Sequence, residues 1–231
     1  MTQILQREIE KLKKMILAES AVVEEAVSKS VRAVKTRDAA LAAGIVEADL
    51  AIDQTEVAIE EECLKVLALH QPVASDLRFI IAVLKINNDL ERIGDLAVNV
   101  AQRAEFLAAR EPVEQPYDLT EMSRAVCEML HKSLDALVNT DAPLAGQVCA
   151  MDSVVDAMNR SAFAHVQDAM RRSPERLDAL VSILSVSRYL ERIADHATNI
   201  AEDVIYMLQG EIIRHKMKKS PGGTEGPVEK A

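Results

Sequence analysis

From its first residues the chain places apolar side chains three, four or seven positions apart: Leu5, Ile9, Leu12, Ile16, Val23, Val27 and Val31. That spacing lines one face of a helix and predicts a helix over residues 3–34. The polar stretch TRDAA at 36–40 interrupts the rhythm, and either Thr36 or Asp38 can cap the helix that follows. The second helix carries the heptad row Ile45–Ile52–Ile59–Val66 and ends at LHQPVASD, where Pro72 stops it. Ser75 or Asp76 can cap a third helix over about 76–109. AREPVEQPYDLT, 109–120, loses the periodicity and has two prolines, the mark of a linker. Then the rhythm returns, with helices over about 118–139, 145–171 and 174–209. Ser173 followed by Pro174 is the start signal for the last of these.

Three helices, a linker and three more helices suggest two copies of one unit. DLERIGDLAVNVA at 89–101 and YLERIADHATNIA at 189–201 support this: between Leu90–Ala101 and Leu190–Ala201, eight of twelve positions are identical. The expected fold is all-α, two tandem and pseudo-symmetric three-helix bundles. The first spans 1–109, a linker 110–117, and the second bundle 118–213. Residues 214–231, beginning RHKMKK and ending KKSPGGTEGPVEKA, form a basic and then disordered tail.

Composition narrows the function. Net charge is −10, there is no Trp, and only 3% of residues are aromatic, which argues against a nucleic-acid sheath. The amphipathic start is neither a signal peptide nor a membrane span, so a cytoplasmic location is expected. Cys63, Cys127 and Cys149 show neither zinc-finger nor disulfide spacing and suit a reducing compartment. No phosphate loop, nucleophile elbow or Cys/His arrangement points to an enzyme.

The chemistry lies in acids. An acidic residue followed four positions later by Asp occurs five times: Asp49/Asp53, Glu91/Asp95, Glu114/Asp118, Asp152/Asp156 and Glu191/Asp195. Glu114/Asp118 falls in the linker. The other four form matched sets, one pair on the second and one on the third helix of each half. Residues i and i+4 share a helix face, and neighbouring carboxylates repel. If the two acidic turns of a half face each other, four carboxylates converge and need protons, Arg or a metal cation. All-oxygen ligands suit Mg, Ca, Mn or Fe, and carboxylate also serves Zn. Asn99 and Asn199 can orient a ligand or a water, and Arg92 and Arg192 can neutralise the acids instead. Glu56 and Glu60 extend the first set where the second half has Asn159 and Phe163, so the two sites are not equally acidic. The plainer reading is a solvated acidic ridge. A di-iron bundle, the signature of an iron-storage or oxidoreductase protein, needs two Glu-x-x-His motifs. Only Glu128/His131 fits, and it stands away from the paired acids.

The doubled LERI-x-D phrase, the earlier ADLAID and AMDSVVD, and the closing GEIIRH (Gly210, Arg214, His215) resemble the PhoU family over about residues 3–216. The resemblance implies two similar three-helix bundles and a non-enzymatic regulator of phosphate uptake. Such a regulator helps repress the phosphate-starvation response when phosphate is plentiful. Its implied partners are a sensor histidine kinase and the ATPase subunit of the phosphate transporter, at the cytoplasmic membrane face. Homodimers or higher oligomers are implied too, as are multinuclear iron or zinc clusters. Carried to this chain, the metal ligands are Asp49, Asp53, Glu91 and Asp95 in one bundle, and Asp152, Asp156, Glu191 and Asp195 in the other.

Overall fold

The computed structural model describes residues 3–210. The chain is all-α: α1 Gln3–Thr36, α2 Ala39–His70, α3 Ala74–Ala108, α4 Leu119–Asn139, α5 Ala142–Arg172 and α6 Leu177–Gln209. A short 3-10 turn, Pro174–Arg176, precedes α6, and there is no strand among the described residues. Helices α1–α3 pack on one another, as do α4–α6, and the two triplets meet mainly where α3 lies along α6, with α1 touching α4. The stripe read from the sequence is the buried one. Leu5, Ile9, Leu12, Ile16, Val23, Val27 and Val31 of α1 join Ile45, Ile52, Ile59 and Val66 of α2 in one continuous core that runs through both triplets. None of the described helices is long and apolar enough to cross a membrane.

Local chemistry sets the ends. Asp38, not Thr36, caps α2, its side chain accepting from the Leu41 amide. Asp141 caps α5 in the same way through Leu144, with Pro143 in the first turn. That cap starts α5 at Ala142, three residues before the periodicity suggested. Asp118, the acid of the linker pair, is the cap of α4 and accepts from Glu121. Neither Ser75 nor Asp76 caps α3. Its cap position is Val73, which offers no side-chain bond, and Asp76 stands in the first turn, where a negative charge suits the helix dipole. Ser173 likewise makes no side-chain cap bond. Pro174 opens the 3-10 turn, and α6 begins only at Leu177. Residues 211–231, including Arg214, His215 and the expected tail, lie outside the described residues, as does the expected end of the second bundle at 213.

The duplication is visible position by position. The offset that carries Asp38 to Asp141 also carries Arg37 to Thr140, both with positive φ. It carries the buried Ser20, Val23, Ser30 and Ala33 of α1 to the buried Ser123, Val126, Ser133 and Ala136 of α4. It carries Asp49, Ile52 and Asp53 of α2 to Asp152, Val155 and Asp156 of α5. One exchange conserves volume across two positions. Gly94 of α3 faces Ile52, and a Cβ there would stand 3.3 Å from Ile52 Cδ1. The matched pair in the second triplet is Ala194 with Val155: one methyl group has moved from the α2-type helix to the α3-type helix.

The seam between α3 and α6 is where the symmetry fails. Asp89, buried on α3, receives His196 Nδ1 at 2.7 Å and Asn199 Nδ2 at 3.2 Å from α6. Lys85 reaches the buried Asp203 at 3.0 Å and lies over the Tyr206 ring at 5.0 Å. Arg78 Nε donates to the Met207 carbonyl. The residues matched to Asp89 and Lys85 are Tyr189 and Ser185, so these ties fix one relative placement of the triplets and do not recur.

Candidate functional site

The acidic turns do face each other within each triplet. Asp49 and Asp53 of α2 stand opposite Glu91 and Asp95 of α3, with Gly94 between. Asp49 Oδ1 is 3.6 Å from the point a Cβ on Gly94 would occupy, so the missing side chain leaves room for it. Burial raises the Asp49 pKa, and the charges of Asp53 and Asp95 raise it further. Burial also raises the Glu91 pKa; Asp95, Glu56 and Asp53 add to this and Arg92 opposes it. In the second triplet burial raises Glu191, followed by Asp195, Asp156 and Asp152, with Arg188 opposing. Each α3-type acid therefore senses the acids of its neighbouring helix as well as its own.

Cations of the chain answer part of this charge. Arg92 lies 3.3 Å from Glu91 Oε2 and 3.5 Å from Asp95 Oδ2. Arg160 lies 3.8 Å from Asp156, and Thr198 Oγ1 donates to Asp152 at 3.3 Å. Glu91 Oε2 is nonetheless buried without a hydrogen bond. In the side-chain positions of this structure, no three His, Cys, Asp or Glu among the described residues are drawn into a ligating set. Like-charged groups separate when nothing lies between them, and the helices hold these acids opposite one another. An all-oxygen donor set with a buried, unbonded carboxylate oxygen fits a hard or borderline cation. The residues that would hold it are Asp49, Asp53, Glu91 and Asp95, and in the second triplet Asp152, Asp156, Glu191 and Asp195.

Other expectations resolve differently. Asn99 does extend the acid turn, but its amide donates to the Asp95 carbonyl at 2.8 Å. Asn199 turns away to Asp89 at the seam. Glu128 pairs with Lys132 at 2.7 Å, while His131 reaches Glu24 of α1 at 2.8 Å. The single Glu-x-x-His thus joins α4 to α1. Cys63 is buried, and burial pushes its thiol up to about 12, as expected for a core residue.

Beside the first carboxylate set lies an acid that the sequence pattern did not single out. Glu19 of α1 is 2% exposed, and neither carboxylate oxygen has a hydrogen-bond partner. Burial, and then the charge of Glu56, push its pKa up to about 8. Asn87 is buried too; its amide donates to the Glu56 carbonyl at 3.0 Å and its Oδ1 has no partner. The matched residues are Met122, Asn159 and Ser187, where Ser187 Oγ donates to Asn159 Oδ1 at 2.6 Å. The first triplet therefore keeps an unsatisfied acid where the second has a thioether. The signal was present in the sequence as the row Leu5–Leu12–Glu19–Ala26–Ala33, an acid in an apolar column.

Duplicated three-helix units, each presenting two facing carboxylate turns, define a class of all-α tandem-bundle protein. The particular family follows from comparison with known proteins. The PhoU domain model matches residues 16–104 and again residues 119–204. The phosphate-specific transport system accessory protein PhoU homolog of Pseudomonas aeruginosa is 39% identical over 215 residues, covering 93% of this chain and 89% of that one. The Aquifex aeolicus homolog is 36% identical, covering 94% and 98%. The crystal structure of PhoU from Pseudomonas aeruginosa superposes with a TM-score of 0.87, over 89% of this chain and 99% of the other at 39% identity. A phosphate transport system regulatory protein PhoU from Streptococcus pneumoniae gives 0.83 at 29% identity, covering 90% and 98%. The chain belongs to the PhoU family.

Proposed function

We propose that this protein is a regulator of phosphate uptake, accessory to the phosphate-specific transport system. It acts at the cytoplasmic membrane face as an adaptor between the ATPase subunit of the phosphate transporter and the sensor histidine kinase. When phosphate is plentiful it holds the starvation response off. The observation that carries this reading is the family match over both triplets, with relatives named as accessory proteins of that transport system. Two further features support an adaptor. The charged and polar side chains that stand out are spread along helix faces, and the two triplets are tied in one fixed placement by the Asp89 and Asp203 contacts. A homodimer or higher oligomer is part of the proposal.

Metal enters as a structural element. Iron, zinc, magnesium or manganese held by the two carboxylate sets would supply positive charge between α2 and α3 and between α5 and α6. Asp49, Asp53, Glu91 and Asp95 would orient the ion in the first triplet and Asp152, Asp156, Glu191 and Asp195 in the second. With Glu56 beside it, the first set is the more negative. Deleting the gene in its source bacterium is the test. Phosphate-responsive genes should then stay on in phosphate-rich medium, and a plasmid copy should silence them. Normal repression in the deletant would remove the regulatory reading.

A further inference from the structure

Helix α2 exposes a row of apolar side chains that nothing in the fold requires. Leu50, Val57 and Leu64 recur every seven residues and are 63%, 51% and 54% exposed, with Val46 one turn before Leu50 and 36% exposed. Single exposed aliphatics are ordinary on protein surfaces, but an aligned row is the seam of a helix pair. The buried row of the same helix, Ile45, Ile52, Ile59 and Val66, lies on the opposite side and is fully used by the core. The second triplet supplies an internal control. Its matched positions on α5 are Cys149, Ser153, Arg160 and Gln167, and the last three are polar and exposed. The same architecture therefore stands without an apolar row there.

The flanks choose the partner. At 100° per residue, Asp53 and Glu60 border the row on one side, and Glu47, Gln54 and Glu61 on the other; all five are exposed. Lys65, near the far end, is the nearest base on the helix. A second copy of α2 laid on this face would oppose acids to acids, which costs free energy along the whole contact. A helix with an apolar stripe between Lys and Arg columns meets both the seam and its borders. The stretch from Val46 to Leu64 rises about 27 Å, roughly five turns.

We infer that the outer face of α2 is a docking site for a basic, amphipathic helix of a partner protein, laid in heptad register along Val46, Leu50, Val57 and Leu64. This surface shares only Asp53, an exposed border residue, with the carboxylate turns, and it stands whether or not the partners are a kinase and a transporter.

The experiment uses the full chain and a fluorescein-labelled 21-residue synthetic peptide with Leu at core heptad positions and Lys or Arg beside them. A scrambled peptide of equal composition measures attraction by charge alone. The key variant carries the residues of the second triplet: Leu50→Ser, Val57→Arg and Leu64→Gln. Fluorescence anisotropy should show the ordered peptide binding the wild type at least tenfold more tightly than the triple variant, and at least tenfold more tightly than the scrambled peptide binds. The helical circular dichroism and melting of the variant should be unchanged. Should the triple variant not fold, Glu47→Lys with Glu61→Lys gives the same reading through the borders, with a tenfold loss expected. Equal binding by variant and wild type, or by ordered and scrambled peptides, overturns the inference. So does wild-type self-association in the ultracentrifuge that the triple variant abolishes, because the occupant is then a second copy.

Discussion

Replacing Glu19 by Gln should make this protein more stable, and more so the higher the pH. The ordinary carboxyl pKa of 4.5 is pushed up to about 8 in the folded chain by burial and by Glu56. Between these values the unfolded state has lost the Glu19 proton and the folded state still holds it. The folded state then binds more protons, so stability falls as pH rises, by about 1.4 kcal/mol per unit from this group. Over three to four units the loss is about 4–5 kcal/mol, complete above pH 8 and absent below pH 4.5. That is a large share of the ~5–15 kcal/mol typical of a folded chain. Glu19→Gln keeps the shape and cannot ionise; Glu19→Met installs the residue of the matched position, Met122. Urea unfolding followed by circular dichroism from pH 5 to pH 8.5 gives the comparison. The gap between variant and wild type should widen by several kcal/mol over that range, with an unchanged urea slope. A gap that stays constant with pH would refute the assignment of a buried, proton-holding Glu19.

Three further outcomes follow from the packing and the acids. Gly94→Ala alone sets a gain of about 1 kcal/mol in helix propensity against a crowded Ile52, and Ile52→Val alone should cost about 0.5–1.5 kcal/mol. Combined, they recreate the Ala194/Val155 pair, and a double-mutant cycle should give a favourable coupling of about 1 kcal/mol; a coupling of zero contradicts the volume exchange. Asp89→Ala removes the partner of both His196 and Asn199 and should lower stability by about 1–3 kcal/mol in the same urea assay, whereas Asn88→Ala, one residue away and exposed, should stay near the wild type. A divalent ion at a hundredfold excess over its Kd should raise stability by about 2.7 kcal/mol for each carboxylate set it occupies, and by less at pH 5 than at pH 8, since protons compete for Asp49, Glu91 and Glu191.

Much of the architecture was legible because it rests on local signals. The apolar column of α1 gave its extent to within two residues, and the duplicated LERI-x-D phrase placed Glu91/Asp95 and Glu191/Asp195 on matched helices. Helix starts were harder, because capping is a choice among neighbours. Asp38 and Thr36 are both competent, and only the backbone turn at Arg37 favours Asp38. What stayed hidden depends on tertiary packing. Asp89 reads as an ordinary surface acid until α6 brings His196 to it, and Asn199, identical in type to Asn99, is drawn to that seam by Asp89. Glu19 was hidden for another reason. A single acid in an apolar column reads as the edge of a stripe, and its burial depends on how closely α2 and α3 cover α1.

The measurement closest to the heart of this reading is the metal content of the purified protein by elemental mass spectrometry. Preparations of the wild type, Glu91→Ala with Asp95→Ala, and Glu191→Ala with Asp195→Ala should be compared after each has been shown to keep its helical spectrum. Facing carboxylate turns that hold a cation predict bound metal in the wild type, loss of the first triplet's share in the first variant, and loss of the second triplet's share in the other. Metal content that is the same in all three preparations would contradict it.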